Sequence, residues 1–321
     1  MRKPLALIFA AAIAAFASIG GGHADEWPTR PIRVIVPLSA GSAADVVPRL
    51  VFAQVSAQLG QPIVIENKPG ASGTIGARDV ATAAPDGYTL LAHSSAHVIV
   101  ASTFAHLTYD PIKDFAAVAP LGNLPNVLVT APSNNIKTVQ ELVALGKTRP
   151  ITFGSIGVGS PIHLTMERLR LSAGFKVQAV TFKGAPEAMV EVMAGRVDVY
   201  YAPVVAALAL IQKGKLVPLV VSSPTRAPTL PDVPTSLEAG YANSAYRFWL
   251  GVFAPAKTPP AIVNRLNAEI EKALQMPDVR AKLAKFGIQP MSMNPEEFGK
   301  FVKDELASNA ELTKAAGIAA H

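Results

Sequence analysis

Two stretches of this sequence share one design, in which an apolar run ends in small residues and then takes on helical spacing. The first is VIVPLSAGSAADVVPR at residues 34–49, and the second is ITFGSIGVGSPIHL at residues 151–164. Each predicts a strand, a tight loop and a helix. Loops with so little side chain let backbone N–H groups approach a ligand, and a helix N-terminus adds unpaired donors and a positive dipole end. Two tight turns are the plain alternative, but the repetition favours an anion clamp with two halves.

Strands and helices alternate along the rest of the chain. This order predicts an α/β fold of doubly wound sheets, whose ligands bind beyond the carboxyl ends of the strands. The pattern loosens near residues 122–126 and again in the proline-rich stretch 224–234, where we place two crossings between lobes. The predicted division is residues 25–124 plus 225–321 for lobe 1 and residues 125–224 for lobe 2. Strands are predicted at 32–36, 63–65, 89–92, 127–131, 151–154, 177–180, 197–201, 217–221 and 248–253.

The N-terminus has the features of an export signal. Arg2 and Lys3 precede an apolar run over residues 4–19, and small residues follow it at 22–24. The run is too short to span a membrane comfortably, so we expect a signal peptide over residues 1–24, cleaved after about Ala24. We expect the remaining chain to be exported and soluble.

Composition excludes several function classes. Cysteine is absent, which rules out disulfides, thiol catalysis, thiolate metal sites and a lipid-modified cysteine anchor. Half of the residues are apolar and 16% are charged, which suits a large buried core in two lobes. The formal charge of +6 is spread without basic runs, so we expect no nucleic-acid partner.

Three histidines raise the question of a metal. His93 and His97 are four residues apart, a spacing that places two imidazoles on one helical face, and His163 lies in the other predicted lobe. Zinc is one interpretation. Because the chain has no cysteine and no HExxH motif, we expect no metal and assign His163, with His93 as a second candidate, to hydrogen bonding with a carboxylate.

Catalytic and nucleotide motifs are incomplete. Gly157 and Gly159 begin a dinucleotide-like pattern, but Ile162 stands where the third glycine belongs. No GxSxG elbow supplies a serine nucleophile. Asp45 falls in the first turn of a predicted helix, where the dipole stabilises a carboxylate, and it is not predicted to be a catalytic base. We expect no cofactor.

Longer motifs complete the pattern in a characteristic order. They are ENKPGASGTIGARDV, APDGYTLL, LTYDPIKDF, TFKGAPEAM, AGRVDV, LPDVPTSLEAGY and FAPAKTPPAIVNRLNAEI, in addition to the two loop stretches. Over essentially the whole chain after the signal, this order resembles the receptors of tripartite tricarboxylate transporters, also called the Bug family of periplasmic solute-binding proteins. The resemblance implies two α/β lobes of the type II periplasmic binding protein kind, which close over a small carboxylate.

The resemblance also implies where the ligand lies and which partners the protein has. It places one carboxylate between the loops at 38–45 and 155–163, held by backbone amides, hydroxyls and bridging waters. It implies a monomer that delivers its ligand to membrane permease subunits from the periplasm. The ligand-binding residues predicted on this basis are Leu38, Ser39, Ala40, Ser42, Ala43, Asp45, Ser94, Ser95, Ser155, Val158, Gly159, Ser160, His163, Lys183, Tyr201 and Ala202.

Departures from the family pattern narrow the chemical class of ligand that we expect. Relatives usually carry an aromatic residue where Leu38 stands, and many carry an aspartate where Ala202 stands. In amino-acid-binding members that aspartate holds the ligand ammonium. Tyr201 is kept as a candidate because it adjoins Ala202. We therefore predict a mono- or dicarboxylate without an amino group, aliphatic or aromatic.

Two other functions remain open from the sequence. One is a ligand-sensing protein that presents its closed form to a two-component system. The other is an exported hydrolase or isomerase that uses His163 with Ser160 or Asp45.

Overall fold

The computed structural model describes residues 27–320, so the predicted signal peptide lies outside the described residues. Two five-stranded sheets, each flanked by helices, form a two-lobed α/β fold. This confirms the predicted fold class. Within residues 27–320 no helix is both long enough and apolar enough to cross a membrane.

The first part of the chain builds most of the first sheet. Its elements are β1 (Ile32–Val36), α1 (Ala43–Leu59), β2 (Ile63–Asn67), α2 (Thr74–Ala81), β3 (Thr89–Ser94), α3 (Ala96–Thr103) and β4 (Phe115–Leu124).

The middle of the chain builds the second sheet. Its elements are β5 (Asn126–Thr130), α4 (Val139–Thr148), β6 (Ile151–Ser155), α5 (Pro161–Ala173), β7 (Val177–Thr181), α6 (Ala185–Met193), β8 (Val199–Pro203), α7 (Val204–Gln212) and β9 (Val217–Val221).

The last part returns to the first sheet and adds three helices. It contains β10 (Phe248–Pro255), α8 (Pro260–Gln275), α9 (Pro277–Lys285) and α10 (Pro295–Ala315).

The two sheets have related topologies. The first has the order β2-β1-β3-β10-β4 and the second the order β7-β6-β8-β5-β9. In each, three neighbouring strands are parallel, and the strand that arrives from the other lobe, β10 or β5, enters antiparallel to both of its neighbours. The carboxyl ends of β1 and β6, where the two predicted loops begin, are thereby positioned to lie at the junction of the lobes.

Helix α1 shows how the sequence pattern becomes structure. Val47, Val51 and Val55 recur at four-residue spacing and are fully buried against the first sheet. Burial of each such side chain stabilises the fold by roughly 1.5–3 kcal/mol relative to exposure. Gly60 has a φ of +67° and ends the helix in the left-handed conformation that glycine adopts without strain. The helix predicted after the first loop is therefore confirmed.

The first crossing between the lobes is short. Pro125 alone separates β4 in the first sheet from β5 in the second. The chain therefore passes from the first sheet to the second at Pro125.

The predicted return crossing at 224–234 is wrong. Ala227, Leu230 and Val233 pack into the core of the second lobe. The Tyr246 amide still donates to the Ser222 carbonyl before β10 begins two residues later. Prolines mark an irregular path, but apolar side chains between them keep this segment on the second sheet. We therefore propose a second lobe boundary near Tyr246 in place of 224/225, and the remaining boundaries stay a prediction.

Helix packing provides a further contact between the lobes. Arg168 on α5 donates from Nη2 to Ser308 Oγ and Asn309 Oδ1 on α10, both at 3.1 Å. A small apolar cluster beside these bonds joins α3, α5 and α10 and consists of Ile99, Leu164, Tyr246 and Leu312. The lobes are thus connected by packed side chains as well as by the crossing strands.

A buried carboxylate joins the starts of two inner strands of the second sheet, β6 and β8. Asp198 accepts two hydrogen bonds from the Arg149 guanidinium, at 2.7 and 2.8 Å, and two from Thr152, both at 2.8 Å. Burial raises the pKa of Asp198, but the bonds from Arg149 and Thr152 outweigh burial and hold that pKa below its usual value. The ionised carboxylate therefore stabilises the folded state.

We expect Asp198→Asn to lower the free energy of unfolding by about 2 kcal/mol at pH 7, since charge-assisted bonds to a buried carboxylate are lost. Because the folded pKa is depressed, the difference from wild type should shrink as pH falls below the usual value of 3.8. Urea unfolding at a series of pH values measures both effects. Glu191→Gln is the matched control, because it breaks an exposed arginine pair and should leave stability essentially unchanged. Equal losses in the two variants would contradict the assignment.

Candidate functional site

The first loop connects β1 to α1 and leaves its helix start open. Ser42 is the N-cap of α1, but its hydroxyl makes no capping bond and has no partner among residues 27–320. The amides of Ala43 and Ala44 precede the first intrahelical bond, which is donated by Asp45. These unpaired donors form the positive end of the helix dipole, where an anion is stabilised.

Asp45 holds this loop in place. Its carboxylate accepts hydrogen bonds from the Gly41 amide at 2.9 Å, from Arg49 Nε at 2.8 Å and from Asn67 Nδ2 at 2.9 Å. Asn67 also donates to the Leu38 carbonyl at 3.0 Å. Burial raises the pKa of Asp45, but these donors outweigh burial and keep the pKa below its usual value. The carboxylate therefore shapes the loop from behind and is not free for a ligand.

The second loop connects β6 to α5, and several of its polar groups form hydrogen bonds within the loop. Ser155 Oγ lies 3.0 Å from the Gly157 carbonyl and 3.2 Å from the Gly157 amide. Ser160 caps α5 by accepting from the His163 amide at 3.3 Å, and Pro161 occupies the first helical position. Since proline has no N–H, the Ile162 amide is the donor left open in this first turn.

His163 stabilises the same loop. Its Nδ1 accepts from the Gly159 amide at 2.9 Å, so the proton of the neutral ring resides on Nε2, 3.9 Å from Glu167 Oε1. Burial lowers the pKa of His163, partly opposed by Glu167. The imidazole is therefore neutral, and neither its Nδ1 nor the Gly159 amide is open to a ligand.

A cavity of about 240 Å³ lies between the two sheets, bounded by these loops and by the crossing strands. From the first lobe it is lined by Ala43, Leu124 and Phe248. From the second lobe it is lined by Asn126, Ile156, Pro161, Ile162, Lys183, Gly184, Ala185, Tyr200 and Pro203.

Three helices begin at this cavity. Ala43, Pro161 and Ala185 are the first residues of α1, α5 and α6, and all three line it. Gly184 precedes α6 and offers no capping side chain. Lys183 adds an exposed ammonium that makes no ion pair with any residue of 27–320. Converging dipoles and one cation give the cavity a positive potential suited to a carboxylate.

The structure brings some of the predicted site residues to the cavity or to the loops beside it and buries others away from it. Ala43 and Lys183 line the cavity, and most of the others form the two loops next to it. Ser94 and Ser95 are buried at the end of β3, where Ser95 Oγ bonds the Tyr246 hydroxyl at 2.9 Å. Ala202 and Tyr201 are fully buried and do not line the cavity.

Several lining residues were not predicted. Tyr200 takes the place expected for Tyr201, because neighbouring strand residues point to opposite faces. The predicted 155–163 loop contains three of them, Ile156, Pro161 and Ile162. The sequence therefore located their segment but not the individual residues. Leu124, Asn126 and Phe248 come from the ends of the crossing strands, and only the tertiary arrangement brings them here.

His93 and His97 do not form a metal site with a third ligand. Their ring centroids lie 5.8 Å apart, and both rings are fully buried. Burial lowers the pKa of His97 to about 4, and burial together with repulsion from His97 holds the pKa of His93 well below its usual value. His97 Nε2 donates to the Pro111 carbonyl at 2.9 Å. Among residues 27–320 no three His, Asp or Glu side chains are grouped to hold a metal ion.

Sequence comparison identifies relatives across nearly the whole chain. The sequence model of the family described as "Tripartite tricarboxylate transporter family receptor" matches residues 47–318. The protein BugT of Bordetella pertussis is 34% identical, and the match covers 92% of this chain and 91% of BugT.

Solved structures give the same result. An R. palustris protein determined with adipate is 31% identical, with a TM-score of 0.79 over 92% of this chain and all of that one. MatC from Rhodopseudomonas palustris, determined with bound malate, is 33% identical, with a TM-score of 0.74 over 89% of this chain and 99% of MatC.

The second loop also touches the first lobe, and this contact can be tested. A Cβ at Gly159, whose φ is +73°, would lie 2.7 Å from Thr103 Cγ2 on α3. Gly174 has a similar φ of +67° but open space around it. Both alanine variants should lose roughly 1 kcal/mol of stability from backbone strain, and Gly159→Ala should lose more because it also meets Thr103.

Thermal and urea unfolding of the two variants measure this difference. Thr103→Ser removes Cγ2 but keeps the hydroxyl, so combining it with Gly159→Ala should bring stability back towards that of Gly174→Ala. If the Gly159 and Gly174 variants are equally stable, the loop does not contact α3 in solution.

Proposed function

The chain belongs to the receptor family of tripartite tricarboxylate transporters, and from this premise we propose that it is a periplasmic solute-binding protein. It captures a small organic carboxylate and delivers it to the membrane permease of such a transporter. The predicted export signal supports the location, and the chain catalyses no reaction on its ligand.

The convergence of three helix N-termini on one cavity carries this proposal. Ala43, Ile162 and Ala185 contribute first-turn positions from α1, α5 and α6, and Lys183 adds a positive charge. Backbone donors recognise a carboxylate without a buried arginine, whose charge would be costly to desolvate when no ligand is bound. Micromolar affinity needs only about 8 kcal/mol, which a few charge-assisted hydrogen bonds and closure over an apolar body can supply.

The residues that line the cavity also limit the charge and the size of the ligand. No aspartate or glutamate is among the described residues that line the cavity, so a ligand ammonium has no carboxylate to pair with. This observation supports a ligand without an amino group more directly than Ala202 does, because Ala202 lies outside the lining. The volume is below the roughly 300–1,000 Å³ of sites for drug-sized molecules, which favours a compact mono- or dicarboxylate.

The hydrolase or isomerase interpretation has no supporting geometry. Ser160 Oγ bonds the His163 backbone amide, and His163 Nδ1 accepts from the Gly159 amide. The Asp45 carboxylate is occupied by groups of its own loop. A sensing role would use the same cavity, and preferential capture of a histidine kinase over permease subunits would favour it.

Titration calorimetry of the full mature chain against a panel tests the proposal. Adipate, malate, succinate, glutarate and benzoate represent carboxylates, while aspartate and glutamate represent amino acids. We expect at least one carboxylate to bind with a Kd of about 10 μM or below, which corresponds to roughly 7 kcal/mol, and the amino acids to show no heat. Recovery of the bound compound unchanged after long incubation would agree with the absence of catalysis. Tight binding of an amino acid, or turnover of the ligand, would contradict the proposal.

A further inference from the structure

Two neutral polar side chains line the cavity in addition to the positive groups. Asn126 is the first residue of β5, and Tyr200 lies on the neighbouring strand β8. Within residues 27–320 neither the Asn126 side-chain amide nor the Tyr200 hydroxyl makes a hydrogen bond, and neither is among the polar atoms that are sealed from solvent without a partner. Both are therefore uncharged side-chain groups that the protein offers to the cavity, beside the open backbone amides of the helix starts.

Burial makes the missing partner of Asn126 significant. Asn126 is only 3% exposed. Its backbone carbonyl accepts a hydrogen bond from the Ser222 amide, but its side-chain amide has no such partner. A buried amide left unpaired costs about 1–3 kcal/mol. Water can satisfy the group while the cavity is open, but a ligand that fills the cavity must replace that water or leave the amide without a partner.

The chemistry of the two groups selects what the ligand must carry. An amide offers both donors and acceptors, and the phenol of Tyr200 can donate or accept. Burial raises the pKa of Tyr200 to about 12, so the phenol stays protonated at physiological pH. The carboxylates of the ligand are already attracted by the helix N-termini and Lys183. A hydroxyl can donate to the Asn126 side-chain carbonyl oxygen and accept from the Tyr200 phenol, whereas a methylene at the same position can pair with neither group.

We propose that Asn126 and Tyr200 form a neutral subsite that recognises a hydroxyl group on the carbon skeleton of the ligand, so that the protein prefers hydroxycarboxylates to unsubstituted carboxylates of the same length. This inference rests on the proposed carboxylate-binding function and specifies its substrate class. A site built to hydrogen-bond a hydroxyl rejects the analogue that lacks it, because the buried polar groups of the site are then left unpaired.

Matched ligand pairs test this preference by calorimetry. The pairs are succinate with malate, glutarate with 2-hydroxyglutarate and 3-hydroxyglutarate, and benzoate with 4-hydroxybenzoate. We expect the hydroxylated member of the best-binding pair to bind at least about tenfold more tightly, as expected for one unpaired buried amide.

Substitutions then assign the preference to the two residues. Asn126→Leu preserves the shape of the side chain and should reduce the preference to roughly threefold or less, mainly by weakening the hydroxylated ligand. Asn126→Ala excludes steric obstruction as the cause, and Tyr200→Phe should reduce the preference in part. Tyr201→Phe is the matched control, because the adjacent hydroxyl is buried away from the cavity and its removal should leave the affinities within about twofold. Lys183→Met should weaken both members of a pair equally.

The outcomes separate this inference from the function on which it rests. If carboxylates bind but hydroxylated and unsubstituted members are equal, or if Asn126→Leu and Tyr200→Phe keep the full preference, the subsite is wrong and the receptor function stands. If no carboxylate binds to the wild-type protein, both the subsite and the proposed receptor function are contradicted. Circular dichroism and thermal unfolding confirm that each variant is folded, and Tyr200→Phe remains an independent test if the Asn126 variants are not.

Discussion

Backbone amides in the first turn of a helix have no partner within that helix, and this constraint organises the whole molecule. Parallel strands followed by helices place every such helix start at the carboxyl edge of its sheet. In this protein the starts of α1, α5 and α6 meet at one cavity because two sheets face each other across it. A bound carboxylate would satisfy amides that the fold itself leaves unpaired, so the proposed affinity for an anion has the same origin as the scaffold.

The loops can present open amides because neighbouring side chains hold them rigid. Asp45 and Asn67 support the first loop, and His163 and Ser155 support the second. These polar groups resemble ligand contacts when the sequence is read alone. In the folded protein Asp45, Ser155 and His163 are buried, and a buried polar group must be paired, so each pairs with the nearest loop amides or carbonyls. Preorganised loops lose less conformational entropy when a ligand binds, which makes weak individual contacts sufficient.

Local elements could be predicted well and their assembly only in part. The strand β1, the helix α1 and its terminal Gly60 follow from side-chain spacing and backbone preference, which depend on neighbouring residues alone. The return crossing could not be placed, because Ala227, Leu230 and Val233 reveal their lobe only through the core they join. For the site, the two loops were found by their small residues, while Tyr200 was missed by one position along a strand. A shift of one residue reverses the face of a strand, and composition cannot resolve it.

The sequence by itself determined the alternating strands and helices, the absence of thiol chemistry, the family and the two strand–loop–helix stretches, because each depends on residue type and spacing. The tertiary structure alone decided which loop groups remain open, since hydrogen bonds from Asp45 and His163 consume others. It also decided that α6 begins at the same cavity and that Asn126 and Tyr200 line it. These facts depend on how two sheets exchange strands across the crossing, a long-range arrangement that no local pattern encodes.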